Sequence, residues 1–383
     1  MRHILTYSVI LFIFSSIISC EKTPAPTPLS GLKIKIGIIT SNTGKNASIG
    51  KQGLKGIILA QKLNSTLENG DEVELFIEDD QSNPVAAIKA LKKLVTKLNV
   101  SAVLLLSDSN SAIAIAKIAN KYKTPIIATI ATNPETTQHS DYISQLAFND
   151  STQATVAALY IRDELFIKRV AVFNNPDNQY SRYLANEFAQ KLKSIGGKVT
   201  DFINLSTQNP NDFPKILKQI QRNEPVLLYL PVTTSDVLAI AKAASNLDWT
   251  PKMIGTDGML SRVYVAHIKD LDLVNGMLAT DLYSSDMERS AYGKKIFNLA
   301  NKTNTDINSH LLTGVEGYGL LLNAINQCEA PISRKCINNA IRTGETFTGI
   351  TGKININKSG TAERTLFINK IEGEELKMVV KVN

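Results

Sequence analysis

The 383-residue chain holds only three cysteines, one tryptophan and four histidines, and aromatic residues make up 6% of it. A phosphate loop is missing. In Thr43-Gly44-Lys45 through Gly50-Lys51, five residues separate the glycines where the motif needs four, and Gln52 stands where a serine or threonine would hold magnesium. No Gly-x-Gly-x-x-Gly follows the first apolar run, and Gly314, Gly317 and Gly319 fall inside a predicted helix in the wrong order. There is no Gly-x-Ser-x-Gly elbow. His139, His267 and His310 are far apart, each in a polar or surface-like context. Cys328 and Cys336 have no nearby histidine and make a poor zinc site. The net charge of +7 comes from scattered lysines, with no block of like charge and no aromatic interleaving. That pattern reads as a solvated surface rather than a nucleic-acid footprint. These absences argue against a nucleotide enzyme, a serine hydrolase, a metal site or a nucleic-acid partner. The chain is expected to be no enzyme and to carry no cofactor.

A long apolar run occurs at the start, from Ile4 to Ile18, and is too short for a comfortable transmembrane helix. It ends Ile17-Ile18-Ser19-Cys20, which resembles the lipobox of bacterial lipoprotein signals, where the cysteine is acylated. A plain secretory signal would fit the apolar run as well, but the cysteine at that point favours the lipoprotein. Residues 1–20 are therefore read as a lipoprotein signal. Glu21 to Ser30, with three prolines, reads as an extended tether. Loss of Arg2 with the signal lowers the charge to +6. The expected location is the bacterial cell envelope, facing the periplasm or the exterior, with the membrane touched through the lipid alone. In an exported chain, Cys328 and Cys336 are expected to form a disulfide across the short spacer between them.

The centre of the pattern is the stretch from Val100 to Thr132. Val103-Leu104-Leu105-Leu106 is a buried parallel strand by its unbroken apolarity. Ser107-Asp108-Ser109-Asn110-Ser111 are all residues that favour helix starts and turns. A helical apolar spacing runs from Ala112 to Ala119, and Ile126-Ile127-Ala128 forms a second strand. This βαβ unit puts hydroxyl-bearing turns at the carboxyl ends of both strands, where open α/β sheets bind ligands. Taken alone, Ser109 and Ser111 read as helix caps.

On either side, strands and helices alternate twice over. Predicted strands include 32–39, 72–80, 169–174, 199–205 and 226–230. Predicted helices include 52–63, 152–166, 183–195, 235–246 and 313–326, and short strands follow Thr351. About 360 mature residues exceed one ordinary core, so two doubly wound α/β lobes are expected. Asp257, bounded by Gly255-Thr256 and Gly258 after a short apolar strand, could aim a carboxylate into a crevice or serve as a turn residue. Tyr180 follows a strand end in the second half and could equally lie on the surface.

From Lys33 onward the chain resembles the type I periplasmic substrate-binding proteins, nearest the branched-chain amino-acid-binding members that serve ABC importers. The resemblance is carried by Ile34-Lys35-Ile36-Gly37-Ile38 with Thr43-Gly44, Gly50, Gly53, Gly56 and Ala60, and by Asp79-Asp80 with Asn83-Pro84. The Ser107 to Ser111 turn, Pro125-Ile126-Ile127 with Ala131-Thr132-Asn133-Pro134-Glu135, and Gly255-Thr256-Asp257-Gly258 complete it. Such a fold implies two lobes joined by a three-strand hinge, with crossings near Phe148, Thr280 and Lys353. Lobe 1 is then 31–148 plus 281–353, and lobe 2 is 149–280 plus 354–383. By the same resemblance, Ser109 and the helix start behind it bind a ligand carboxylate. Thr132 contacts both carboxylate and ammonium, the Ile130 carbonyl accepts from the ammonium, and Asp257 pairs with it in place of the usual glutamate. Tyr180 closes over the ligand, and Ile49 touches its side chain. The stretch Leu230-Pro231-Val232 departs from the pattern, lacking the aromatic of branched-chain binders.

The expected function is an amino-acid receptor of an ABC importer. One rival is a sensory or envelope-assembly lipoprotein using the same fold to bind a signal or a protein. Another is an envelope hydrolase.

Overall fold

The computed structural model describes residues 33–205, 212–257, 271–329 and 331–383. The signal, the tether, Cys20, Gly258 and His267 lie outside the described residues. The chain opens β1 (Lys33–Thr40), α1 (Ala47–Leu63), β2 (Glu72–Asp79), α2 (Pro84–Thr96), β3 (Ala102–Leu106), α3 (Ser109–Tyr122), β4 (Ile126–Ala128), α4 (Glu135–Gln138) and β5 (Ile143–Gln145). These strands form one parallel sheet in the order β2-β1-β3-β4-β5. Every residue of β3 and β4 is buried, as strands covered by helices on both faces require.

The alternation restarts with α5 (Asp150–Asp163), β6 (Arg169–Asn174), α6 (Gln179–Ser194), β7 (Lys198–Asn204), α7 (Phe213–Gln221), β8 (Leu227–Leu230), α8 (Thr234–Ser245), β9 (Lys252–Gly255) and β10 (Leu278–Asp281). The second sheet runs β7-β6-β8-β9-β10 in parallel, then adds the hairpin β14 (Leu366–Glu372) and β15 (Glu375–Val382) antiparallel at β10. Both sheets thus repeat one winding. Each order reverses beside its first strand, and the strand ends flanking a reversal leave a crevice. The two crevices face one another.

Between β10 and β14 the chain returns to the first lobe as α9 (Ala291–Lys302), α10 (Ser309–Asn326) and α11 (Arg334–Thr343), then β11 (Phe347–Thr348), β12 (Lys353–Ile356) and β13 (Ala362–Glu363). Helix α10 lies against α1 at contact distance. A Cβ on Gly56 would stand 2.0 Å from the Leu311 carbonyl oxygen, and one on Gly314 would stand 2.1 Å from that of Gly53. Only glycine permits this approach, and it aims the start of α10 at the crevice of the first sheet.

The third crossing differs from expectation. Ile354, Ile356 and Ala362 pack into the first lobe's core beside Ile350, and the chain joins the second sheet only at Leu366. Residues 354–363 therefore stay with lobe 1, because β12 pairs antiparallel with β11 and its alternate isoleucines face that core. At the crossings, Ala147, Phe148, Leu282, Leu366 and Ile368 form one small apolar cluster. Beside it lies a fully buried ion pair. Arg364 donates to Glu316 Oε2 on α10 at 2.8 Å and to the Leu146 carbonyl at 3.0 Å. The other Glu316 oxygen accepts the Ile350 and Thr351 amides.

Several helices begin earlier than the apolar spacing suggests. Asn178 and Asn308 each cap with their side chain, on Ser181 and Leu311, so α6 starts at Gln179 and α10 at Ser309. The structure also joins Cys328 to Cys336, with Cα atoms 5.9 Å apart.

Two outcomes follow from this packing. Arg364→Met leaves Glu316 buried without its counter-charge and should cost about 3–5 kcal/mol in urea unfolding, and a loss below about 1 kcal/mol contradicts the account. Alkylation of the unreduced, denatured chain with peptide mapping should leave Cys328 and Cys336 unmodified. Opening that short loop by Cys336→Ser should lower stability by about 2–3 kcal/mol.

Candidate functional site

A cavity of about 510 Å³ opens between the two crevices. From the first lobe it is lined by the first turn of α1 with Ile49, the first turn of α3 with Ser109, and Ile130 just after β4. From the second come Tyr180 on the first turn of α6 and Asp257 just after β9. Five of the six positions singled out in the sequence thus meet in one space. Thr132 does not line it: the residue is buried, and its hydroxyl approaches the Asp150 carboxyl from behind.

The cap of α3 is Asp108, not a serine. Its Oδ1 accepts the Ser111 amide at 3.0 Å and its Oδ2 accepts Asn46 Nδ2 at 2.9 Å. Ser109 therefore sits inside the first turn, where its hydroxyl accepts the Asn133 amide at 3.3 Å. Relieved of capping, Ser109 lines the cavity at the positive end of the helix.

Asp257 is held from one side. Gln153 Nε2 donates to its Oδ1 at 2.6 Å, and the Tyr180 hydroxyl donates to the same oxygen at 2.8 Å. Gln153 is itself oriented by Thr280, whose hydroxyl donates to Oε1 at 2.8 Å. The Tyr180 oxygen also lies 2.6 Å from Thr256 Oγ1. Burial raises the Asp257 carboxyl above the ordinary range, and its two side-chain donors pull against that rise. Tyr180 is thus laid along the floor of the second lobe, where burial and the carboxylates of Asp257 and Asp150 keep its phenol protonated.

Other contributors are not visible in the sequence pattern. His310, read there as surface-like, is buried on the first turn of α10 and lines the cavity. The signal for it was Asn308, a capping residue that starts the helix before its apolar face begins. The far wall is Pro231, Val232 and Leu238 with the hydroxyls at the start of α8, aliphatic and polar where an aromatic was expected to be absent. Asp150 and Asp281 stand behind the wall. Asp281 takes the Ser309 hydroxyl and the Leu282 amide, and burial with the nearby Asp257 charge brings its carboxyl up to about 7. Asp150 is raised well above its ordinary value, first by burial and then by Asp257.

The lobes touch across one edge of the cavity. Asn110 on α3 accepts the Gln179 amide at 3.0 Å and donates to the Asp177 carbonyl at 3.3 Å, and Asn133 donates to the Gln179 carbonyl at 3.0 Å. Among the described residues no group of side chains has the make-up of a metal site.

The whole architecture matches solved structures. A leucine-binding protein of Thermotoga maritima MSB8 superposes with a TM-score of 0.84 at 26% identity, over 91% of this chain and 99% of that one. A substrate-binding protein of the branched-chain amino-acid transporter of Streptococcus pneumoniae, in complex with isoleucine, gives 0.82 at 21%, over 92% and 100%. A solute-binding protein of an ABC transporter from Rhodopseudomonas palustris BisB5, in complex with 3,4-dihydroxybenzoic acid, gives 0.81 at 20%, over 92% and 97%. No curated protein matches the sequence significantly. The model of the periplasmic binding protein family matches residues 33–375, and the chain belongs to that family, with the type I fold of two doubly wound lobes on a three-strand hinge.

Proposed function

We propose that this protein is an extracytoplasmic receptor that captures a small amino acid, or a close analogue, between its lobes and presents the closed form to the membrane subunits of an ABC importer. The observation that carries the reading is the polarity of the cavity. One lobe offers a helix start with the Ser109 hydroxyl, and the other offers the Asp257 carboxylate, half-buried, whose side-chain donors among the described residues both reach Oδ1. A zwitterion satisfies both walls at once. An aromatic acid, such as the one in the Rhodopseudomonas palustris complex, has a carboxylate for the first wall and no cation for the second.

In this reading the α-carboxylate rests on Ser109 and the amides opening α3. The ammonium meets Asp257 and the Ile130 carbonyl, and Thr132 stays behind the wall beside Asp150. Tyr180 covers the ligand from the second lobe, and Ile49 with the aliphatic far wall takes its side chain. No bond is made or broken. In this reading the bonds from Asn110 and Asn133 to Asp177 and Gln179, at the entry to α6, hold the closed form, which is favoured only by as much as the ligand binds it better. The Ile17-Ile18-Ser19-Cys20 signal would tether the receptor to the membrane by a lipid on Cys20, with residues 21–30 as the leash.

Calorimetry against the twenty L-amino acids, benzoate and 4-hydroxybenzoate tests the reading. Heat from one or more amino acids and none from the benzoates is expected; the reverse sinks the proposal. Removing the counter-charge of a buried ammonium costs about 3–5 kcal/mol, so Asp257→Ala should weaken binding roughly a few hundredfold or more while the fold persists. Binding by that variant within threefold of wild type would make Asp257 a turn residue only. Separately, Cys20→Ala should leave the chain unprocessed or move it out of the membrane fraction. Unchanged processing and partitioning would rule out the lipid anchor.

A further inference from the structure

Three aspartates converge under the cleft from three elements. Asp257 follows β9, Asp281 ends the neighbouring β10, and Asp150 opens α5 at the first crossing. Asp257 and Asp281 line the same small void, together with Ser309 and His310. Asp150 is wholly buried, and neither of its carboxyl oxygens nor the Thr132 hydroxyl beside it completes a hydrogen bond among the described residues. The other titratable groups facing the cluster are Tyr180 and Tyr183 from α6, Tyr229 from β8 and His310 from α10. From the first lobe, Lys45 and Asp108 line the cleft above it. Among the described residues no lysine or arginine forms an ion pair with any of the three aspartates, and Arg364 is engaged with Glu316.

We infer that one carboxyl of the Asp150, Asp257 and Asp281 cluster holds a proton while the cleft is empty and that a ligand ammonium displaces it, so that Asp150 and Asp281 are positioning residues for a cation they do not touch. The inference rests on the amino-acid reading and adds a proton to it. Neighbouring buried carboxylates cannot all ionise without a cation among them. The raised carboxyls of Asp281 and Asp150 agree with this. An ammonium arriving at Asp257 adds a positive charge beside the cluster and stabilises the ionised forms, and the displaced proton leaves to solvent. Binding is therefore weakest where the free cluster is protonated and tightens as pH rises through neutrality.

The test is calorimetry of the full chain with L-leucine, and with L-alanine in parallel, in phosphate and in Tris from about pH 5.5 to about pH 8. Release of one proton should tighten binding about tenfold per pH unit on the acid side and make the heats differ between the two buffers. Asp281→Asn should flatten the profile, and His310→Gln should keep its slope. Equal heats in the two buffers, or a slope that follows His310 instead of Asp281, overturn the inference. Carbon-13 titration of the aspartate carboxyls in the ligand-free protein, repeated with methylammonium chloride, separates this failure from that of the amino-acid reading. A carboxyl that titrates near neutrality and shifts downward with methylammonium supports the proton exchange even if no amino acid binds. Carboxyls that all titrate in the ordinary acid range overturn it whatever binds.

Discussion

The Glu316–Arg364 pair is the constraint on which the arrangement of the lobes depends. Both side chains are out of water, and each charge is tolerable only because the other is there. The pair sits where the chain leaves lobe 1 for the last time, and Arg364 also binds the Leu146 carbonyl beside the first crossing. The middle crossing is fastened to the same helix higher up, through Asp281 and Ser309. Helix α10 therefore holds all three crossings, and α10 is itself packed against α1 at a distance that only glycine permits.

The binding cleft follows from that arrangement and from the repeated strand order. Each sheet reverses its winding beside its first strand, so each lobe contributes loops from the carboxyl ends of its strands. Lobe 1 supplies helix starts with few acids to oppose an anion. Lobe 2 supplies Asp257 and the two aspartates behind it. In the amino-acid reading proposed above, the asymmetry of charge between two similar crevices would separate a zwitterion from a simple carboxylate. Burial enforces the distinction, because a wrong ligand leaves a desolvated group without a partner.

Much of this was determined by the sequence itself. The unbroken apolar runs of β3 and β4, the turn chemistry of residues 107–111 and the twofold alternation of strands and helices specify two parallel, helix-covered sheets, since no other packing buries such strands on both faces. The family resemblance pointed to Ile49, Ser109, Ile130, Tyr180 and Asp257; local order by itself marked Ser109 as a cap, Asp257 as a turn or crevice residue and Tyr180 as a residue after a strand end. The tertiary structure alone decided which groups meet across the chain. Asp108, and not Ser109, caps α3, because the competition among adjacent capping residues turns on Asn46, which lies distant in sequence. His310, Gln153, Asp150 and Asp281 come to the cleft from helix starts and strand ends far apart along the chain. Residues 354–363 side with lobe 1 because alternate isoleucines suit either core, and only the pairing of β12 with β11 chooses between them. Local pattern determines which face of an element is buried; long-range pairing determines what it is buried against.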